Sequence, residues 1–333
     1  MLLIHWEEEL NKSNLVFTIF LGLAVWVAPS FAVNAGDYPD RPISVAACYP
    51  PGGGVDRNLR MVERVASKYL GQSLLPQYKT GGSGTVAMQY IKKAPANGYE
   101  LAICDNGGAI IAPIAQGLKL GAADFTPIAQ VSFVPWIMTA GAKTKYKSVK
   151  DFINAAKSSS SRIPIEISGI ATSDHYGWLL LLKQAGISPN KFKWNPHGGG
   201  GPKMRAILAG EGDLFFDDAG EIAGHVKAGK LVPLAVAAET RLPQFPNVPT
   251  MKELGYNVIA GSSVAIYAPP GLSKDKVNTL RGAMKKIKKD PALLKAFELT
   301  LQDPNTFVVD AFPAAYASDW KNAGELLKAA LAK

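Results

Sequence analysis

Glycine-rich turns contain the residues of this chain best suited to hold a small anion. The first turn contains Tyr49, the glycines at 52–54 and Asp56, and it lies between an apolar run, Ile43–Ala47, and a segment with helical spacing. Glycines let the backbone approach a ligand closely, and a helix N-terminus adds unpaired N–H donors and a positive dipole end. The pattern therefore predicts a strand, an anion-holding turn and a helix that ends at Gly71.

The same arrangement recurs in the second half of the chain. A predicted strand, Ile163–Ile167, is followed by the turn 168–173 and by a helix that Gly186 ends, and a further turn of four glycines follows His197. Strands and helices alternate throughout, which is typical of mostly parallel sheets flanked by helices. Ligands of such sheets bind at the carboxyl ends of the strands, where these turns are expected to lie.

This alternation predicts an α/β protein of two domains joined by two crossing segments. We place domain 1 at residues 36–138 and 260–333, and domain 2 at residues 139–259. The chain has 333 residues, of which 47% are hydrophobic, so each domain can bury a core of its own. Two such domains would enclose a cleft that can close.

The N-terminus has the features of an export signal, predicted over residues 1–35. The apolar stretch 15–28 is shorter than the roughly 20 residues that a membrane span requires, and small residues allow cleavage near Ala32 or Ala35. A permanent membrane anchor is the alternative. Glutamates at 7–9 stand where a signal is usually basic, which a start site assigned too far upstream would explain.

Charge and residue types argue against several functions. Removal of residues 1–35 takes away one lysine and three glutamates, which raises the formal net charge from +9 to +11. The lysines are dispersed, and their tight cluster at 285–289 is expected to be a solvated helix face. Attraction for small anions is therefore a simpler interpretation than nucleic-acid binding. The sequence has no metal-ligand spacing such as CxxC or HExxH, so no metal or cofactor is predicted.

The two cysteines, Cys48 and Cys104, end two predicted strands. They can pair in an oxidising compartment if the strands are parallel neighbours, because the carboxyl ends of such strands lie side by side. Bridges between parallel neighbours are often strained, so the sequence leaves open whether this pair forms.

Several motifs in order, from Tyr38 to the C-terminus, carry a family resemblance. They are Pro50-Pro51-Gly52-Gly53-Gly54-Val55-Asp56, Ala94-Pro95-Ala96-Asn97-Gly98-Tyr99-Glu100-Leu101, Asp124-Phe125-Thr126-Pro127-Ile128, Ser173-Asp174-His175, Ala228-Gly229-Lys230-Leu231 and the stretch 241–255. The chain thereby resembles the periplasmic solute-binding proteins of tripartite tricarboxylate transporters, the Bug family. The resemblance implies a two-domain, Venus-flytrap receptor of the periplasmic-binding-protein type, expected to be a monomer. Such a receptor binds a small carboxylate and delivers it to the integral-membrane permease subunits of the transporter.

The resemblance also assigns ligand-binding residues, which act largely through backbone N–H groups. These are Tyr49, Gly53, Gly54 and Asp56 on one domain, Thr172, Ser173 and His175 on the other, with Asp105, Asn106, Gly198, Gly199 and Asp217 completing the cleft. Other roles stay open for five of them. Tyr49 can be a wall of the cleft or a hydrogen-bond donor, Ser173 can cap a helix, and His175 can be a core or surface histidine. Asp56 and Asp217 can orient loops or hold water.

Four departures from the family pattern concern the ligand. Tyr78-Lys79-Thr80 stands in place of an Asn-Arg-Pro element, Cys48 in place of a proline, and Pro196-His197 in place of Tyr-Lys. Asp174 places a negative charge in the first turn of a helix that is expected to receive a carboxylate. The identity of the ligand is therefore open, and amine-bearing and aromatic carboxylates are included.

A secreted, esterase-like α/β hydrolase is the competing class of protein. His197 and the glycines after it resemble an oxyanion-hole element, and Ser83 or Ser173 would be the nucleophile. An esterase of this kind needs a Gly-x-Ser-x-Gly elbow followed by a histidine base, and the sequence contains no such elbow. A receptor without enzymatic activity is therefore the preferred interpretation.

Overall fold

The computed structural model describes residues 38–331, and the predicted export signal lies outside the described residues. The strands are β1 (Ile43–Ala47), β2 (Leu74–Tyr78), β3 (Glu100–Asp105), β4 (Thr126–Pro135), β5 (Ile137–Gly141), β6 (Ile163–Ile167), β7 (Phe192–Pro196), β8 (Leu214–Asp217), β9 (Leu231–Val236) and β10 (Gly261–Ala268). The helices are α1 (Gly54–Leu70), α2 (Thr85–Lys93), α3 (Ala112–Ala115), α4 (Val149–Ser158), α5 (Ser173–Ala185), α6 (Gly200–Ala209), α7 (Ala219–Lys227), α8 (Lys274–Ile287), α9 (Pro291–Leu299) and α10 (Phe312–Leu331).

The strands form two five-stranded sheets of equivalent topology. The first has the order β2-β1-β3-β10-β4 and the second the order β7-β6-β8-β5-β9. In each sheet one strand, β10 or β5, runs antiparallel to its neighbours, while the first three strands of each order are parallel. We call the first sheet with α1–α3 and α8–α10 lobe 1, and the second sheet with α4–α7 lobe 2.

The chain crosses between the lobes immediately before each of the two antiparallel strands, β5 and β10. β4 ends at Pro135 and β5 begins at Ile137, so Trp136 alone separates a strand of lobe 1 from a strand of lobe 2. The return crossing runs from the end of β9 to β10. The chain thus changes sheet at Trp136 and before Gly261, close to the domain limits placed at 138 and 260, which stay a prediction.

The helices form where the apolar spacing and the end signals predict them. In α1 the side chains of Leu59, Val62 and Ala66 recur on one face and are fully buried. The helix ends at Gly71, whose φ of 70° is a left-handed conformation that glycine adopts without strain. Ser148 caps α4 by accepting a hydrogen bond from the Asp151 backbone N–H at 3.1 Å.

Each lobe has a hydrophobic core beneath its sheet. In lobe 1, α1 packs with α8 and α9 against the central strands, and the buried residues include Val45, Ile103 and Phe297. In lobe 2, Trp178 of α5 packs against Phe216 with ring centroids 4.7 Å apart. The predicted two-domain α/β architecture is confirmed, with mixed rather than purely parallel sheets. Within residues 38–331, no helix combines the length and apolar character that crossing a membrane demands.

Candidate ligand-binding site

A cavity of about 320 Å³ lies between the carboxyl ends of the strands of the two lobes. Its volume is at the small end of the roughly 300–1,000 Å³ range of small-molecule sites. Lobe 1 contributes the turn 49–55, Asp105 and Ser262, and Trp136 lies at the crossing point. Lobe 2 contributes Ser168, Thr172, Ser173, Asp174, the stretch 198–203, Arg205, Asp217, Asp218 and Glu221.

Most of the residues predicted from the sequence line this cavity. They are Tyr49, Gly53, Gly54, Asp105, Thr172, Ser173, Gly198, Gly199 and Asp217. The structure places Asp56, Asn106 and His175 outside the cavity wall, where each supports a neighbouring segment. Contact of any of these residues with a ligand stays a prediction.

The N-terminus of α1 opens into the cavity without a side-chain cap. Gly53 is the N-cap residue, and no side chain accepts a hydrogen bond from the first N–H groups of the helix. A Cβ built on Gly53 would meet no atom within 4 Å, which shows how open the backbone is at this point. Asp56 holds the turn from behind, because its carboxylate accepts hydrogen bonds from the Gly52 N–H at 2.9 Å and from the Tyr78 hydroxyl at 2.7 Å.

The N-terminus of α6 in lobe 2 mirrors that of α1. Its N-cap residue is Gly199, it also lacks a side-chain cap, and the helix begins with Gly200 and Gly201. Gly198 has a φ of 80°, a left-handed conformation that turns the chain into the cavity wall. Two helices of opposite lobes therefore present unpaired N–H groups and positive dipole ends to one cavity.

The side chains at the start of α5 bond the preceding turn and lobe 1. The N-cap residue is Thr172, and the Ser173 hydroxyl donates instead to Asp105 of lobe 1 at 2.7 Å. His175 accepts a hydrogen bond on Nδ1 from the Ala171 N–H at 3.0 Å, and its ring packs edge-on against Trp194. Burial lowers the pKa of His175 to about 4, so the ring is neutral at physiological pH. Its place in the structure is that of a support for the turn.

A buried lysine lies between two of the acidic residues of the cleft. Lys203 is 1% exposed, and its Nζ lies 3.0 Å from Asp174 Oδ2 and 3.6 Å from Asp217 Oδ2. Burial raises the carboxyl pKa of Asp174, but the Lys203 charge and hydrogen bonds from the turn outweigh it and hold that pKa below its usual value. From the sequence, the negative charge of Asp174 argued against a carboxylate ligand at the start of α5. In the structure Lys203 neutralises this charge.

Asp217 and its neighbour Asp218 have different roles. Asp218 caps α7 by accepting a hydrogen bond from the Glu221 N–H, so the cap belongs to Asp218 and not to Asp217. Asp217 faces the cavity, and burial raises its pKa to about 7 in spite of the nearby charge of Lys203.

On lobe 1, Asp105 ends β3 at the cavity, and Asn106 follows it. Asp105 accepts hydrogen bonds from the Gly108 N–H and from Ser173, and burial raises the pKa of its carboxyl group. Asn106 turns away from the cavity and bonds the backbone of Gly261 and Ser263, which fixes β10 at the return crossing.

A disulfide joins Cys48 and Cys104, which answers the question that the sequence left open. Their Cα atoms lie 5.3 Å apart, since β1 and β3 are parallel neighbours. The bond ties the turn that contains Tyr49 to the end of β3 that contains Asp105. The two sulfurs also form a cluster with Asp105, but sulfurs bonded to each other offer no thiolate to a metal ion.

Hydrogen bonds and ion pairs cross the cleft beside the cavity. Arg57 of α1 donates to Asp218 Oδ2 at 2.9 Å and to the Glu221 carboxylate, so one guanidinium of lobe 1 holds two acids of lobe 2. On the opposite side the Ser83 hydroxyl donates to the Ile170 carbonyl at 2.8 Å. These contacts, with the bond between Ser173 and Asp105, hold the lobes together around the cavity.

The second glycine turn, 80–84, lines a neighbouring cavity of about 360 Å³ that shares Tyr49 and Thr172 with the first. The Tyr49 hydroxyl donates to the Ser83 carbonyl at 3.1 Å and so forms part of the wall between the two. A larger groove of about 660 Å³ lies on lobe 2 between α4 and the segment 247–256, away from the cleft.

Sequence reasoning missed seven residues of the cavity wall that stand in no glycine turn and in no motif of the family. They are Trp136, Pro202, Lys203, Arg205, Asp218, Glu221 and Ser262. Trp136 carried one indirect signal, since it lies two residues before the predicted domain limit at 138.

Two lobes of equivalent topology around one cavity, which the N-termini of α1 and α6 enter from opposite sides, are typical of two-domain solute-binding proteins. The family described as tripartite tricarboxylate transporter family receptor, TctC, matches residues 58–314. The chain belongs to this family.

Individual relatives agree with this assignment. The protein BugT of Bordetella pertussis is 28% identical over 290 residues, which cover 85% of this chain and 86% of BugT. The structure of MatC from Rhodopseudomonas palustris with bound malate superposes with a TM-score of 0.78 at 22% identity, covering 87% of this chain and all of that one. The R. palustris protein Rpa4515, solved with adipate, has a TM-score of 0.75 at 23% identity, covering 87% of this chain and 98% of that one. At these identities the two structures show the shared fold.

Proposed function

We propose that this protein is an extracytoplasmic receptor that binds a small carboxylate in the interdomain cavity and delivers it to a tripartite tricarboxylate-type permease. The observation that carries the proposal is the pair of uncapped, glycine-led helix N-termini, α1 and α6, which face one cavity from opposite lobes. Backbone N–H groups at such termini bind anions.

The helix termini fit a ligand with acidic groups at separate positions. A ligand carboxylate would accept charge-assisted hydrogen bonds from the N–H groups of α1. Closure of the two lobes would bring the N–H groups of α6 onto the same ligand. Related proteins of this fold hold malate and adipate, both small dicarboxylates. The net charge of +9 would also attract an anion toward the protein before it binds.

Closure of the lobes is the step that couples binding to transport. The ion pairs of Arg57 with Asp218 and Glu221 form only when the lobes meet, and a ligand between the lobes would add to them. Ligand binding would therefore favour the closed form, and a permease that recognises this form distinguishes loaded from empty receptor. We infer that the receptor acts in the periplasm as a monomer, an inference that the export signal predicted over residues 1–35 and the family support.

Isothermal titration calorimetry of the purified protein with a panel of small mono-, di- and tricarboxylates tests the proposal. We expect saturable binding of at least one acid with one site per chain. Gly53→Val should abolish it, because the new side chain points into open space at the cavity wall. Gly121→Val is the matched control, since Gly121 is also an N-cap glycine in extended conformation with no atom near its Cβ position, but lies outside the cavity.

The hydrolase alternative predicts a different result in the same samples. The Ser173 hydroxyl donates to Asp105, and the His197 ring bonds Glu166, so the described site does not pair this serine with a histidine base. Turnover of ester substrates by the purified protein, lost in Ser173→Ala, would contradict the receptor. Equal binding by wild type and Gly53→Val would contradict the assigned cavity.

A further inference from the structure

The side chains of the cleft carry more acidic than basic groups, although the proposed ligand is itself an acid. The acidic residues that line the cavity are Asp105, Asp174, Asp217, Asp218 and Glu221. Within the described residues the basic ones are Lys203 and Arg205, and Arg57 approaches from behind. A ligand with carboxylates alone would leave this excess of negative charge without a partner.

Three of the five acids are paired with cations of the protein. Asp174 pairs with Lys203 at 3.0 Å, and Asp218 and Glu221 share the single charge of Arg57 across the cleft. Each of these three carboxylates therefore already has a cationic donor from the protein.

Asp217 is in a different position. Its Oδ1 accepts a hydrogen bond from the Asp218 N–H at 3.0 Å. Within residues 38–331 its Oδ2 accepts no hydrogen bond. The Nζ of Lys203 lies 3.6 Å from Oδ2, beyond hydrogen-bonding distance, and is already bonded to Asp174 and to the Phe216 carbonyl. The Asp217 side chain lines the cavity and is only 5% exposed, so its Oδ2 is a buried carboxylate oxygen without a donor among the described residues.

Trp136 supplies the complementary group. Its indole N–H is buried and donates to no acceptor among the described residues, while its side chain lines the same cavity. Indole N–H groups are donors only. The cavity thus contains an unused donor at Trp136, an unused acceptor at Asp217 and two helix N-termini suited to carboxylates.

We propose that Asp217 Oδ2 accepts a hydrogen bond from an ammonium group of the ligand, so that the receptor is selective for amino-bearing carboxylic acids. The inference rests on the proposed function, because it assigns the substrate class of the same cavity. The ligand's carboxylates contact the N-termini of α1 and α6, and its ammonium group pairs with Asp217. A zwitterion of this kind meets both the anion-binding backbone and the excess of acidic side chains.

The electrostatics of the cavity agree with this assignment. Burial raises the pKa of Asp217 to about 7, with Asp218 and Glu221 raising it further and Lys203 opposing them. A ligand ammonium group supplies a charged donor to Oδ2, which Lys203 approaches only to 3.6 Å. A hydroxyl or a hydrogen at the same position of the ligand supplies no charge.

Calorimetry with matched acids tests the inference. Aspartate, malate and succinate share a four-carbon dicarboxylate and differ at one carbon in an ammonium group, a hydroxyl or a hydrogen, and glutamate, 2-hydroxyglutarate and glutarate form the five-carbon series. We expect wild type to bind the amino acid of at least one series roughly tenfold or more tighter than its hydroxy and unsubstituted counterparts. Asp217→Asn should abolish this preference and bind all three acids within about threefold of one another. Asp310→Asn, at an exposed acid paired with Lys285, should behave as wild type.

The outcomes separate this inference from the proposed function. The ammonium site is refuted if wild type binds malate or succinate as tightly as aspartate, and 2-hydroxyglutarate or glutarate as tightly as glutamate. The proposed carboxylate receptor would still stand. If Asp217→Asn folds, judged by its melting temperature, and keeps the wild-type preference, the assignment to Asp217 is refuted. If that variant does not fold, the wild-type series alone decides. Failure of every carboxylate to bind would contradict the proposed function and the inference with it.

Discussion

Arg57 is the residue whose replacement best tests whether cross-cleft contacts hold the receptor closed. Its guanidinium, 21% exposed, binds Asp218, 6% exposed, and Glu221, 23% exposed, both on the other lobe. Arg57→Met keeps most of the apolar stem and leaves two carboxylates facing each other without a cation.

The magnitude follows from the burial of the pair. Breaking a fully buried ion pair costs roughly 3–5 kcal/mol and an exposed one less than about 1 kcal/mol. For this half-buried arrangement we expect closure to lose about 2 kcal/mol, which weakens ligand binding by about 30-fold. Small-angle scattering should show a larger radius of gyration for the variant than for wild type, and calorimetry should show the weaker binding.

The matched control is an ion pair of similar burial that lies away from the cavity. Lys92 of α2 pairs with Asp124 at 3.0 Å, both within lobe 1, with side chains 34% and 29% exposed. Lys92→Met should therefore leave both affinity and radius of gyration at their wild-type values. A double-mutant cycle with Glu221→Gln measures the coupling between Arg57 and Glu221 across the cleft. If Arg57→Met binds as tightly as Lys92→Met and has the same radius of gyration, the contacts do not hold the lobes closed.

Three further predictions concern the residues that support the cavity. Ser173→Ala removes the donor to Asp105 and should weaken binding by about 1 kcal/mol, roughly fivefold in calorimetry; a lower melting temperature with unchanged affinity would contradict this role. The pKa of His175 is about 4 in the folded protein and 6.5 in the unfolded chain. Its contribution to the free energy of unfolding is therefore complete above pH 6.5 and is lost as the pH falls through 4. At 1.36 kcal/mol per pKa unit this amounts to about 3 kcal/mol. Denaturant unfolding of His175→Asn should accordingly show a smaller loss of stability between pH 7 and pH 4 than wild type, and an equal loss would refute the assignment. Replacing both Cys48 and Cys104 with alanine opens a loop of 56 residues and should lower the free energy of unfolding by about 4 kcal/mol, whereas an unchanged denaturation midpoint would contradict it.

The local elements were predictable because their signals are local. The apolar run Ile43–Ala47, the glycines after it and the end of α1 at Gly71 all follow from the periodicity and chemistry of neighbouring residues. The repeat of this pattern in the second half also indicated two lobes.

The electrostatics of the cleft could not be predicted, since they depend on residues distant in the chain. Lys203 is buried because Asp174 and Asp217, on α5 and β8, converge on it. Nothing in its neighbourhood of the sequence shows this. Arg57 and Asp218 are likewise 161 residues apart.

The role of His175 illustrates a different limit. Its position in the first turn of α5 favoured ligand contact, and the first turn does lie at the cavity. However, the ring turns back to accept the Ala171 N–H and to pack against Trp194. Which way a side chain points from a helix terminus depends on the packing around it, and the sequence does not show that packing.

The central claim is that backbone N–H groups of two lobes hold a carboxylate between them, and a crystal structure with a bound carboxylate tests it most directly. The account predicts carboxylate oxygens within hydrogen-bonding distance of N–H groups at the start of α1, residues 53–55, and at the start of α6, residues 199–201. A carboxylate bound outside this cavity, or held in it by arginine and lysine side chains alone, would contradict the account.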